Sequence, residues 1–85
     1  MPDQVDYYVI IGRGRSQANP SGLARRRKID GLRVDEALHR DMSWGETNVI
    51  AERDRGEEMS RELVEISEAE AEALIERFRQ KWAGG

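Results

Sequence analysis

The hydrophobic pattern of the chain is most regular close to the C-terminal end. Glu62–Ile66 (ELVEI) reads as a short strand. From Ser67 onward, Ala71, Leu74, Ile75, Phe78 and Trp82 recur at spacings of three and four. They form one apolar stripe on a period of about 3.6 residues, which predicts an amphipathic helix. Ser67 and Glu70 have the Ser-x-x-Glu spacing of a capping box, in which the hydroxyl and the carboxylate satisfy each other's free backbone amides. Glu68, Glu70 and Glu72 lie near the positive end of the helix dipole, and Arg77, Arg79 and Lys81 near its negative end. Gly84 and Gly85 are read as the stop.

The N-terminal half has shorter patterns. Val5–Gly12 is β-branched and aromatic, and its continuous apolar run from Tyr8 to Ile11 predicts an interior strand. The Gly, Pro and small polar residues of Gly12–Gly22 predict a flexible loop. Leu23–Ile29 reads as a second strand pairing back on the first, with a short helix as the competing reading, and Asp30-Gly31 as a turn. Val34, Ala37, Leu38 and Met42 fit one face of a short helix over residues 34–42, with Asp35 and Glu36 in its first turn. Thr47, Val49 and Ala51 alternate with polar neighbours, apart from Ile50, and are read as an edge strand over residues 47–53; a helix continuing through AERDR is the competing reading. A polar loop follows over residues 54–60.

Together these elements predict a single α+β domain spanning residues 1–85. Its mainly antiparallel sheet has three to four strands. The short central helix and the longer C-terminal helix pack on one face. The expected core is Tyr8, Ile10, Leu38, Val49, Val64, Ile66, Leu74, Ile75, Phe78 and Trp82.

Composition narrows the function classes. With 38% hydrophobic and 36% charged residues in 85, the core is thin, and a partner chain is one route to full stability. The chain has no cysteine, which removes disulfides, thiolate nucleophiles and thiolate metal sites. No apolar run approaches the roughly 18 residues of a membrane span. The start lacks a basic segment and an apolar core, so a cytoplasmic location is expected. Net charge is −3, but it is unevenly placed. Residues 12–33 carry seven bases against Asp30, and residues 46–85 carry eleven acids against six bases.

Two groups of residues stand out as candidate sites. Arg13 and Arg15 flank Gly14, and Arg25, Arg26, Arg27 and Lys28 follow across the loop. Arginine forks match phosphate oxygens and glycines admit an anion to the backbone, so these six residues are a candidate nucleic-acid or anion site. Trp44, in a segment rich in hydrogen-bonding side chains, and Trp82 are candidate protein-interface residues. His39 is the lone histidine; with Asp35 four residues before it on the expected helix, the pair offers an oriented imidazole or a surface ion pair. No serine has a visible base partner, and no phosphate-loop, nucleophile-elbow or zinc pattern occurs.

These features point to a non-enzymatic interaction module or accessory subunit that oligomerises or binds a protein partner. It needs no metal or cofactor. A nucleic-acid-binding regulator that uses the arginines of residues 13–28 is the alternative.

Overall fold

The computed structural model describes residues 4–56 and 61–83. In chain order the elements are β1 (Gln4–Ile11), β2 (Gly22–Ile29), β3 (Leu32–Leu38), β4 (Trp44–Glu46), α1 (Val49–Asp54), β5 (Glu62–Ile66) and α2 (Glu68–Ala83). The strands form one sheet of five in the order β4-β3-β2-β1-β5, with every neighbouring pair antiparallel. The α+β class is as the pattern predicts, with five strands rather than three to four.

The C-terminal unit follows its sequence closely. The Glu70 amide donates to Ser67 Oγ at 3.1 Å, and the Ser67 amide donates to Glu70 Oε1 at 3.3 Å, which completes the capping box. Ala71, Leu74 and Phe78 are buried and Ile75 and Trp82 half-buried. The expected stop at Gly84 and Gly85 lies outside the described residues, as do residues 57–60 of the expected polar loop.

Two segments exchange their expected roles. Residues 34–42 do not form a helix; Leu32–Leu38 is strand β3, which turns at residues 39–43 into the short β4. The Asp30-Gly31 turn decides this. Both residues have positive φ, 49° and 80°, as the two central residues of a type I′ hairpin turn require. That turn sets the register in which Ile29 faces Leu32 and Arg26 faces Asp35. A helix would have left the β2 arginines without those carboxylates.

Residues 47–53 are not an edge strand, because α1 occupies Val49–Asp54. Val49 and Ile50 are both buried, which adjacent residues of a one-sided strand cannot be. The Thr47 hydroxyl accepts from the Val49 amide, and the Asn48 carbonyl accepts from the Glu52 amide at 2.8 Å.

The helices lie on opposite faces of the sheet, not on one. Tyr8, Ile10, Ala24 and Leu63 pack with Val49 and Ile50 under α1. Val9, Leu23 and Leu38 pack with Leu74 and Phe78 under α2, and Ile11, Met42, Trp44, Val64, Ile66, Ile75 and Trp82 border that cluster. Tyr8, Val9 and Ile10 are therefore buried in succession, because β1 is an interior strand covered on both sides. The expected core includes Tyr8, Ile10 and Val49 of the α1 layer and Leu38, Leu74 and Phe78 of the α2 layer; it lacks Ala24, Ile50 and Leu63 of the first and Val9 and Leu23 of the second.

Candidate functional site

The β2 arginines alternate between the two faces, as successive strand residues must. On the α1 face the Arg26 guanidinium grips Asp35 with two bonds, Nε to Oδ1 at 2.8 Å and Nη2 to Oδ2 at 3.1 Å. Its third arm, Nη1, reaches Asp54 Oδ2 at 2.7 Å, at the end of α1. Hydrogen bonding to Asp35 raises the Arg26 pKa above the ordinary arginine value, and hydrogen bonding to Arg26 holds the Asp54 carboxyl below the ordinary aspartate value. On the α2 face Arg25 Nε donates to Glu36 Oε1 at 3.0 Å, and Arg27 Nε lies 2.9 Å from the same oxygen. The Arg27 contact is one of charge: its buried Nε–H makes no hydrogen bond.

Arg25, Arg26 and Arg27 are thus matched by Glu36, Asp35 and Asp54 within the fold. Of the six residues expected to form one basic surface, the structure leaves Arg13, Arg15 and Lys28 exposed and free of carboxylate partners among the described residues. They do not converge: Arg13 and Arg15 sit in the β1–β2 loop, and Lys28 near the other end of β2.

That loop consists of two successive turns, closed by hydrogen bonds from Arg15 N to Gly12 O and from Asn19 N to Ser16 O. Ser21 bridges its base, donating to Ile10 O and accepting from Gly12 N. Arg77 of α2 donates to Ala18 O at 2.9 Å and ties the loop to the helix. Arg15 is thereby brought to a concavity of about 380 Å³ that it lines with Arg40, Lys81 and Trp82. The sequence reading missed Arg40 and Lys81, which belong to the β3–β4 turn and the last turn of α2. Their only signal was being unmatched cations, visible once the register of β2 and β3 is known.

The two tryptophans are half-buried. Trp44 carries the Arg25 guanidinium 3.9 Å above its ring, a cation–π contact within the sheet. Trp82 stacks on Phe78 with centroids 4.5 Å apart and rings 3° from parallel. His39 and Asp35 are not neighbours. Four steps along an extended chain set them about 13 Å apart, and Asp35 is held by Arg26. The imidazole instead lies over Gly45, where a methyl group would collide with it. Among the described residues, no three His, Asp or Glu side chains converge as metal ligands. No helix among them is long and apolar enough to cross a membrane.

On the α2 side of the sheet, the helix core stops short of one end. Val5, Arg27 and Val34 share a row there, and Ile29 and Leu32 share the next. Leu32 is 71% and Val5 38% exposed, and Ile29 and Val34 are half-buried. Beside this patch, no strand among the described residues pairs with the outer edge of β3 at residues 32–34, since β4 pairs with Glu36–Leu38 and the Thr47 amide donates to Asp35 O.

Compared with family models, curated proteins and solved structures, the chain matches none.

Proposed function

We propose that the protein is a non-enzymatic interaction module whose primary contact is self-association through the uncovered end of the sheet. The observation that carries this reading is the exposure of Leu32 and Val5 on one face, two strands apart, beside a strand edge that no described strand pairs at residues 32–34. Open edges with apolar neighbours are sites of strand addition. A second copy is the occupant that fits, because it presents the same apolar patch beside the same strand edge, and a two-fold axis at the β3 edge sets one against the other. The charges on this face, Arg25 and Arg27 with Glu36, are already matched within each copy and do not oppose the contact. The thin core of an 85-residue chain supports the same reading.

The test is sedimentation velocity over a concentration series with the wild type and a Leu32→Asp variant. A concentration-dependent dimer that the variant abolishes, with its circular dichroism unchanged, is the expected result. A wild type that stays monomeric to about millimolar concentration, where even weak contacts of about 4 kcal/mol appear, overturns it.

A further inference from the structure

The cationic concavity is a separate feature, at the far end of the sheet from the Leu32 patch. Arg15 comes from the β1–β2 loop, Arg40 from the β3–β4 turn, and Lys81 and Trp82 from the last turn of α2. The three cations are exposed and have no carboxylate partner among the described residues. This is not a consequence of composition, since the chain is net acidic and its strand arginines are neutralised internally. The acid next to Arg40, Asp41, is turned back onto Ser43, whose amide and hydroxyl donate to its Oδ1 at 3.0 and 2.6 Å. Trp82, half-buried and stacked on Phe78, lines the concavity. Lys81 also lines a neighbouring hollow of about 400 Å³, together with Asn19 and Gln80 among others.

We propose that this end of the molecule binds a nucleotide, with Arg15, Arg40 and Lys81 on its phosphate and Trp82 against its base. Three elements converge three positive charges on a space large enough for a phosphate group, and arginine forks pair with phosphate oxygens in two-point contacts. An aromatic ring beside such a groove accepts any base by stacking, and the Phe78–Trp82 pair lengthens by one ring when a base joins it. Asn19 and Gln80, whose amides can pair with a base edge, line the adjoining hollow. Two sources share this chemistry, a single-stranded nucleic acid and a free mononucleotide. The inference does not depend on self-association and is tested in the Leu32→Asp background as well as in the wild type.

The experiment is fluorescence anisotropy of a labelled oligothymidylate at near-physiological salt, with AMP and inorganic phosphate as competitors. The expected result is saturable binding that Arg15→Glu/Arg40→Glu weakens by at least tenfold. The slope of log affinity against log salt should fall by about 0.7 for each phosphate that no longer meets a cation. Lys28→Glu, a reversal at the other end of β2, should change affinity less than twofold. Full competition by AMP at concentrations where phosphate fails assigns the site to a mononucleotide, and failure of AMP to compete assigns it to the polymer. Because Trp82 also packs on Phe78, stacking is read without replacing it. In a Trp44→Phe variant, Trp82 is the sole indole, and its emission should be quenched by at least a third on saturation. Three results overturn the proposal: absence of binding to either probe at this salt, equal weakening by Lys28→Glu, and binding that leaves Trp82 emission unchanged.

Discussion

Arg26 Nη1 donates to Asp54 Oδ2 at 2.7 Å across 28 residues of sequence, joining an interior strand to the last residue of α1. The same guanidinium holds Asp35 on the neighbouring strand with its other two donors. One arginine therefore fastens the β2–β3 hairpin and the short helix together. A helix of six residues has little stability of its own, so this bond and the burial of Val49 and Ile50 keep α1 on the sheet.

Removing the guanidinium leaves Asp35, whose side chain is only 10% exposed, without its partner. Arg26→Ala is expected to lower stability by about 2–3 kcal/mol, below the full cost of breaking a buried pair because the site is partly wet. Arg26→Met combined with Asp35→Leu should recover most of the loss, since neither charge is then left alone. Urea unfolding followed by circular dichroism measures both, and a double variant no more stable than Arg26→Ala would contradict the account.

Acid should weaken the same junction. The Asp54 carboxyl is held low by Arg26, and the Asp41 carboxyl by the Ser43 hydroxyl. A carboxylate with a lower pKa folded than unfolded contributes stability above its unfolded value of about 3.9, and that contribution is lost as pH falls through the folded value. Thermal unfolding from about pH 6 down to about pH 2 should show a shallower loss of stability for Asp54→Asn than for the wild type.

Tyr8 provides the alkaline counterpart. Burial beneath α1 raises its pKa above the ordinary tyrosine value, and the charges of Glu65 and Asp6 add to the shift. A group whose folded pKa is raised contributes stability below its unfolded value, and this is lost as pH rises through the folded value. In a Tyr7→Phe variant, Tyr8 is the only remaining tyrosine. Its phenolate absorbance should appear at a pH above the ordinary value of about 10, together with loss of structure.

The hairpin turn is equally open to test. Gly31 has φ of 80°, in the left-handed region that a side chain disfavours. Gly31→Ala should cost about 1 kcal/mol through backbone strain alone, since a methyl there meets no other atom. Asp30→Asn should be neutral or slightly stabilising, because asparagine tolerates that conformation better. Ser67→Ala, which removes the hydroxyl of the capping box, should cost about 1 kcal/mol through the freed Glu70 amide. Denaturant midpoints measure all three.

What the sequence determined by itself was local. The capping box at Ser67 and Glu70, the stripe from Ala71 to Trp82, the strands around Tyr8 and Val64, and the Asp30-Gly31 turn all depend on neighbours a few residues away. Those neighbours set period, cap and turn chemistry. Tertiary structure decided the rest. Val34–Met42 carries a passable helical stripe, and its first part became strand β3 and the rest a turn, because the turn before it placed Asp35 and Glu36 opposite Arg26 and Arg25. Val49–Asp54 became a helix because Val49 and Ile50 are both needed to cover Tyr8, Ile10 and Leu63. The candidate site divides in the same way. A run of arginines is visible in the sequence, but its neutralisation by carboxylates up to 28 residues away is not. Nor is the meeting of Arg15 with Arg40, Lys81 and Trp82, because an unmatched charge can be recognised only after every pairing in the fold has been made.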